Sequence, residues 1–150
     1  MEKELPDPFT AVVVQASPVF FDKKGTLEKM LDLTAMAADG HKASLVLFPE
    51  VFIPGYPRGF LFGARVGSRT DAGRDLFLRY WENSISVPGP ETERLGAMAR
   101  DKNIWLVTGV TEKDTVSDTL YCTLLYFSPE GKLVHKHRKL KPTASERILW

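Results

Sequence analysis

The sequence has a single cysteine among its 150 residues, and this scarcity excludes several classes of protein. One cysteine forms no internal disulfide framework, and it supplies too few thiolates for a cysteine-based zinc cluster. Disulfide-stapled secreted domains and cysteine-rich zinc modules are therefore excluded. The composition fits a reducing compartment, and we expect a cytoplasmic protein.

Long apolar runs and a charge excess are also missing. No run approaches the roughly 20 apolar residues that a membrane helix needs. The first residues, Met-Glu-Lys-Glu-Leu-Pro-Asp-Pro, carry acids and prolines instead of the basic and apolar regions of a signal peptide. The formal net charge of +1 gives no reason to expect nucleic acid as the main partner. We therefore expect neither a membrane nor a nucleic-acid partner.

Apolar segments alternate with segments of helical periodicity. Runs that are apolar on both alternating faces predict strands covered above and below, at 9–16, 44–50 and 104–110. Helical spacing predicts helices at 27–38, 71–84 and 90–103. A further strand at 119–127 and a type I turn predict a hairpin to 132–137. The fold class is α/β, with helices on one side of a sheet and something apolar on the other.

Glu50 follows directly after the second predicted strand. The carboxyl ends of strands in α/β sheets are where ligands usually bind. Neighbours such as Phe48, Val51 and Phe52 would place the carboxyl group in an apolar setting, which raises the pKa of an acid toward the range of a general base. On spacing alone, a solvated loop glutamate is the alternative.

A glycine-rich and aromatic segment at 51–68 has no clear period, which is typical of a functional loop. Its aromatic side chains are Phe52, Tyr56, Phe60 and Phe62. They could wall an apolar substrate pocket, or they could pack the loop onto the sheet or onto another subunit. The sequence does not favour one of these interpretations.

A basic cluster surrounds Lys139, and by itself such a cluster decorates a surface or contacts nucleic acid. In an alternating strand, Lys139 shares a face with His135 and His137, while Lys136 and Arg138 point the other way. The two histidines are spaced like metal ligands, but no third ligand stands at a recognisable spacing. We therefore expect no metal site.

Cys122 lies in the middle of a predicted strand, between Tyr121 and Thr123. The local sequence offers no adjacent base, helix N-terminus or cation that would lower the pKa of its thiol. We expect a small core residue and not a nucleophile.

Two blocks of sequence resemble signatures of the nitrilase branch of the carbon-nitrogen hydrolase superfamily. The first is Phe-Pro-Glu at 48–50 followed by Gly-Tyr-Pro at 55–57, and the second is Lys-His-Arg-Lys-Leu-Lys-Pro-Thr-Ala-Ser-Glu-Arg at 136–147. The resemblance implies that Glu50 is the general base and Lys139 the catalytic lysine. It also implies that Glu146 positions the lysine and the substrate, and that Tyr56 lies near the substrate.

The resemblance carries expectations about architecture and assembly. The family fold is a four-layer α-β-β-α sandwich, of which this chain would supply the N-terminal half. Residues 1–8 would form an extension, and 9–150 a partial carbon-nitrogen hydrolase domain. The faces meant for missing strands would be exposed. Members of the family form homo-oligomers, from dimers to spirals, and we expect the same here.

One departure from the family pattern matters for activity. The nucleophile of the family is a cysteine in a Cys-Trp-Glu-Asn segment, and this sequence contains no such segment. We therefore expect the N-terminal portion of a nitrilase, inactive alone, whose whole enzyme hydrolyses a small-molecule nitrile to a carboxylic acid and ammonia without a cofactor. The alternatives are a cyanide or cyanoalanine hydratase, an amidase, or a non-catalytic subunit that assembles with full-length relatives.

Overall fold

The computed structural model describes residues 7–64 and 70–150 of the chain. Most of the predicted extension at 1–8, and the end of the predicted loop at 51–68, lie outside the described residues. The helices and strands are, in chain order, β1 (Ala11–Val13), α1 (Lys23–Ala35), β2 (Leu45–Leu47), α2 (Asp71–Asn83), β3 (Ile85–Ser86), α3 (Pro90–Lys102), β4 (Trp105–Lys113), β5 (Leu120–Phe127) and β6 (Leu133–Arg138).

The strands form one mixed sheet with the order β1-β2-β4-β5-β6, and the short β3 pairs with β4. β1, β2 and β4 are parallel to one another, whereas β5 and β6 continue the sheet as an antiparallel hairpin. The predicted β-α-β unit and the predicted hairpin are both confirmed. The carboxyl ends of the parallel strands therefore lie at the same edge of the sheet, and Glu50 follows β2 at that edge.

The main core lies where α1 and α3 pack on the sheet. Met30 of α1 and Leu95 of α3 are fully buried against Val46, Leu106 and Leu125 of the strands. Burying one such side chain contributes roughly 1.5–3 kcal/mol to folding. This packing fixes the helices on one face of the sheet.

The ends of the helices follow local chemistry. Asp22 precedes α1, and its carboxylate accepts a hydrogen bond of 2.9 Å from the amide of Gly25. Thr70 caps α2 in the same way, with a bond of 3.1 Å from Gly73. Pro90 is the first residue of α3, as predicted. These signals place the observed helix boundaries close to the predicted ones.

The prediction of an interior first strand at 9–16 is wrong. β1 has three residues, stands at the edge of the sheet, and leaves Val13 72% exposed. Trp105 is 45% exposed at the start of β4. The reason is that α1 and α3 cover one face of the sheet, whereas α2 covers the other face only at β4 and β5, where the hydroxyls of the buried Tyr80 and Thr111 lie 2.8 Å apart. The apolar pattern of both faces was correct, but at β1 the second face is left open and Val13 is exposed.

Two short elements were not predicted: β3 has two residues, and a 3-10 helix, Ala144–Ile148, follows β6. The end of the helix predicted at 27–38 is a π-helical turn, Met36–Gly40. The mixed α/β class is confirmed, whereas the division into an extension at 1–8 and a partial domain at 9–150 stays a prediction. No helix in the described part of the chain is long and apolar enough to cross a membrane.

Candidate active site

The backbone of Glu50 is held against β4 by a close approach at Gly109. A Cβ atom at position 109 would lie 2.5 Å from the Cα of Glu50, the carbonyl oxygen of Pro49 and the amide nitrogen of Val51. The amide of Gly109 donates to the Pro49 carbonyl at 3.2 Å, and the Gly109 carbonyl accepts from Phe52 at 2.8 Å. Since only glycine leaves room for this contact, Gly109 determines where Glu50 stands.

The residue after Glu50 has a strained backbone. Val51 adopts a φ of 50°, a conformation that costs a β-branched residue roughly 1–3 kcal/mol. Its side chain is fully buried, and its carbonyl accepts a hydrogen bond of 3.1 Å from Gly55. The surrounding packing therefore enforces a sharp turn immediately after the candidate base.

The apolar setting predicted for Glu50 is not observed. Phe48 and Phe52 are buried, with their rings 5.1 Å apart, but they pack into the core. The side chain of Glu50 is 50% exposed and contacts an ammonium group instead. Strand alternation and the turn at Val51 separate the apolar side chains from the carboxylate.

Lys139 follows β6 and brings its ammonium between two carboxylates. The backbone amide of Lys139 donates to the Cys122 carbonyl at 2.8 Å, which continues the pairing with β5. Its Nζ lies 2.8 Å from Glu50 Oε1, and 3.2 and 3.0 Å from Oε1 and Oε2 of Glu146. The hydrogen bond to Glu50, followed by the one to Glu146, raises the pKa of Lys139 despite partial burial. The ammonium is therefore charged at neutral pH.

Glu146 is a buried carboxylate on the 3-10 helix, with three donors around it. It accepts from the Thr143 amide at 2.6 Å, from the Tyr56 hydroxyl at 2.9 Å and from Lys139. Burial acts to raise the pKa of Glu146, but the three donors outweigh it and hold that pKa below the usual range of glutamate. Glu146 is thus a buried anion paired with Lys139.

Tyr56 reaches the site through its hydroxyl. The bond to Glu146 is the main reason that the pKa of Tyr56 is raised. The other aromatic residues of the loop pack on the protein: Phe52 and Phe62 are buried, and Phe60 stacks on Phe20 with centroids 5.6 Å apart. Packing on the protein is therefore observed for Phe52, Phe60 and Phe62, whereas contact of Tyr56 with a substrate stays a prediction.

Cys122 is buried as predicted, and a carboxylate that is distant in sequence lies beside its thiol. Its Sγ lies 3.3 Å from Glu50 Oε1. The two residues are far apart in sequence and meet because Cys122 pairs with Thr111 of β4, two residues beyond Gly109, where the backbone of Glu50 lies against the strand. Burial, assisted by Glu50, raises the pKa of the Cys122 thiol to about 12. The thiol is therefore protonated at neutral pH, which does not suit a nucleophile.

The opposite face of the hairpin holds an ion cluster that the sequence did not predict. Glu112 is 1% exposed and accepts from Lys136 at 2.6 Å, from Arg138 at 2.7 Å and from Thr123 at 2.8 Å. Burial opposes ionisation, but Arg138, Lys136 and Thr123 together lower the pKa of Glu112. The predicted alternation of the basic residues is confirmed, since Lys136 and Arg138 point away from Lys139.

The two histidines on the face of Lys139 do not form a metal site with other described residues. His135 lies with its ring centroid 5.3 Å from that of Tyr126, and His137 lines the cleft beside Lys139. Within 7–64 and 70–150, no group of three or more histidine, cysteine or acidic side chains is arranged to hold a metal ion.

Glu50 and Lys139 border one cleft, and Glu146 borders another. The larger has a volume of about 790 Å³, and Glu50, Lys139 and Cys122 lie in its mainly apolar wall. The smaller has about 270 Å³ and includes Tyr56 and Glu146. A carboxylate open to a cleft can accept a proton, and an ammonium held beside it can stabilise a developing negative charge.

Comparison with known proteins shows which family shares this sequence. The family model described as carbon-nitrogen hydrolase matches residues 10–150. A bifunctional nitrilase/nitrile hydratase of Nicotiana tabacum is 51% identical over 140 residues, which are 93% of this chain and 39% of that protein. Nitrilase 2 of Arabidopsis thaliana is also 51% identical, over 93% of this chain and 40% of its own. The chain thus spans about two fifths of the length of these curated relatives.

Solved structures show the same fold. A branch 10 member of the nitrilase superfamily from Saccharomyces cerevisiae has a TM-score of 0.68 at 24% identity and covers 93% of this chain and 47% of its own. An amidase from Nesterenkonia sp. has a TM-score of 0.62 at 20% identity, over 93% of this chain and 46% of its own. At these identities the likeness shows the fold alone.

Proposed function

Because the chain belongs to the carbon-nitrogen hydrolase family, we propose that it carries the acid-base half of a nitrilase active site. The complete enzyme would hydrolyse a nitrile to a carboxylic acid and ammonia. The observation that supports this proposal is the ammonium of Lys139 between the carboxylates of Glu50 and Glu146. The relatives that are half identical to this chain include proteins named as nitrilases.

Each charged residue has a role in the proposed reaction. Glu50 is the general base, because its carboxylate is half exposed and lies in the wall of the larger cleft. Lys139 stabilises the negative charge that develops when a nucleophile adds to the carbon of the substrate. Glu146 is buried and holds Lys139 in place. Tyr56 donates to Glu146 and borders the smaller cleft.

The nucleophile of the proposed reaction is a cysteine thiol outside this chain. Cys122 is not assigned the role, because it is buried within β5 and burial raises the pKa of its thiol to about 12. The external thiol would give its proton to Glu50 and attack the nitrile carbon, which forms a thioimidate. Water then adds, ammonia leaves, and a second water releases the acid from the thioester. Covalent catalysis of this kind divides one difficult hydration into easier steps.

A second outcome of the same chemistry is release of an amide. The relative from Nicotiana tabacum is named as a bifunctional nitrilase/nitrile hydratase, and this name favours some amide product here. The two outcomes use the same residues and differ in which bond of the tetrahedral intermediate breaks. Loss of ammonia leads to the acid, and loss of the thiol leads to the amide.

The test uses the enzyme that contains this chain together with the cysteine segment. Small, aliphatic and aromatic nitriles are supplied, and ammonia, acid and amide are measured. We expect turnover of at least one nitrile class, and a loss of at least about 100-fold in kcat for Glu50→Gln and for Lys139→Met. The controls Glu130→Gln and Lys132→Met change exposed residues of the hairpin turn and should keep full activity. Full activity in either site variant would contradict the proposal.

A further inference from the structure

The structure places a protonated thiol and an ammonium on the same oxygen of the candidate base. Glu50 Oε1 accepts from Lys139 Nζ at 2.8 Å and from Cys122 Sγ at 3.3 Å. Among the residues at 7–64 and 70–150, Glu50 Oε2 accepts no hydrogen bond. The two oxygens of the carboxylate are therefore not equivalent.

Cys122 contacts both candidate catalytic residues at once. Its carbonyl accepts the backbone amide of Lys139 at 2.8 Å, and its thiol donates to the side chain of Glu50. The residue is 7% exposed and stands on the central part of β5, whose register against β4 is fixed by continuous pairing. A small movement of Cys122 would therefore move the base and the lysine together.

We propose that Cys122 is a positioning residue for Glu50: it fixes Oε1 jointly with Lys139, so that Oε2 is the oxygen that exchanges the proton during catalysis. The assignment of Glu50 as base rests on the proposed function, whereas the hydrogen bond itself does not. A thiol is a weak donor, but a charged acceptor strengthens the bond. Burial keeps the thiol protonated, because it raises the pKa of Cys122 to about 12.

A kinetic experiment on the active enzyme separates donation from packing. Cys122→Ser keeps a donor, Cys122→Val keeps approximately the volume without a donor, and Cys122→Ala removes both. We expect the serine variant to keep kcat within about threefold, and the valine and alanine variants to lose about tenfold in kcat with little change in KM. Wild-type kcat in the valine variant would overturn the proposal, and so would equal losses in the serine and valine variants.

An infrared measurement tests the hydrogen bond without any turnover. The S–H stretching band of Cys122 is obtained as the difference between the spectra of the wild-type enzyme and of Cys122→Ala. We expect a band shifted from the position of a free thiol, and a return to that position in Glu50→Ala. A band that is the same with and without the Glu50 carboxylate would overturn the proposal.

The two experiments distinguish failure of this inference from failure of the proposed function. If Glu50→Gln is inactive while Cys122→Val is fully active, the nitrilase assignment stands and the role of Cys122 is wrong. If Glu50→Gln is fully active, the proposed function fails, and the positioning role that rests on it fails with it. The infrared band would then still report a structural hydrogen bond.

Discussion

Lys139 Nζ lies 2.8 Å from Glu50 Oε1, although the two residues are 89 positions apart in the chain. The contact joins the turn after β2 to the residue after β6, two points at the same end of the sheet. On its other side, the same ammonium meets the buried carboxylate of Glu146. One cation thus lies between two anions, and each anion favours the charged form of the lysine.

Removing either carboxylate should lower the pKa of Lys139. Both Glu50 and Glu146 raise that pKa, so the native ammonium stays charged beyond the pH at which an ordinary lysine loses its proton. The sign follows from linkage: the stabilisation is present below the unfolded pKa and is lost as pH rises through the folded one. Titration of the Nζ resonance by NMR in Glu50→Gln and Glu146→Gln should show a lower pKa than in the wild type.

Glu130→Gln is the matched control for this titration. Glu130 is an exposed carboxylate in the turn before β6, where it accepts from the hydroxyl of Ser128. We expect the Lys139 resonance of this variant to titrate as in the wild type. An unchanged titration in both Glu50→Gln and Glu146→Gln would show that the ammonium does not depend on its two partners.

Tyr56→Phe should lower kcat more than it raises KM. The substitution keeps the ring but removes the hydroxyl that donates to Glu146 at 2.9 Å, so Lys139 is held less firmly. A hydrogen bond to a charged group is worth roughly 1.5–3 kcal/mol, and a loss of about tenfold in kcat is expected. Steady-state kinetics with the active enzyme measure both constants.

The same variant tests whether Tyr56 also binds substrate. A rise in KM at unchanged kcat would assign the hydroxyl to substrate binding and not to Glu146. Tyr126→Phe is the control, because its hydroxyl makes no hydrogen bond within the described residues and its ring packs on His135. That control should leave both constants unchanged.

The sequence predicted the strands and helices around this site better than the contacts between distant residues. Apolar runs and helical spacing located the main strands and helices because these patterns are local. The resemblance predicted that Glu50, Lys139 and Glu146 belong to one site, and the structure places both carboxylates within hydrogen-bond distance of Lys139. The contact of Cys122 with Glu50 could not be predicted, because it depends on strand order and on the absence of a side chain at Gly109.

The ion cluster at Glu112 was missed for a related reason. A glutamate at the end of an apolar strand carries no local sign of burial, and its partners on β6 are distant in sequence. Alternation along β6 did predict that Lys136 and Arg138 share a face, but not what that face meets. The prediction that β1 is covered on both faces was wrong, because an apolar face in the sequence does not show whether another element packs on it.

Glu112→Gln should destabilise the protein at neutral pH by about 2 kcal/mol. The reason is that charged side chains donate hydrogen bonds to the carboxylate, and a neutral amide would take its place. The pKa of Glu112 is lowered in the folded state. Its contribution is therefore present above the ordinary pKa of glutamate and is lost as pH falls through the folded value. Denaturant unfolding between neutral pH and about pH 3 should show the two proteins converging as the pH falls.

Glu28→Gln serves as the comparison for this measurement. Glu28 pairs with Arg94 at 2.6 Å, but both side chains are about half exposed. Surface pairs of this kind contribute roughly 0–1 kcal/mol, so the variant should follow the wild type closely. A constant difference between wild type and Glu112→Gln at every pH would contradict the assigned ionisation.

Gly109→Ala should impair both stability and catalysis. The added methyl group would stand 2.5 Å from backbone atoms of Pro49, Glu50 and Val51, and none of these is the end of a flexible side chain. Overpacking of this kind costs about 1–3 kcal/mol. The turn must move away from β4, which lengthens the contact of Glu50 with Lys139. A displacement near 1 Å at a reacting group can lower kcat by about 100-fold.

Gly40→Ala provides the matched control, since a Cβ at this position meets no atom within 4 Å. It should leave kcat unchanged and keep or slightly raise the free energy of unfolding, by about 0.4–1 kcal/mol, because alanine has fewer unfolded conformations. Unfolding curves and kcat are measured for both variants. If Gly109→Ala unfolded more easily but kept wild-type kcat, the close approach would serve the sheet alone. If it lost kcat without losing stability, the turn after β2 would move with little change in the free energy of unfolding. The glycine would then serve mainly to place Glu50.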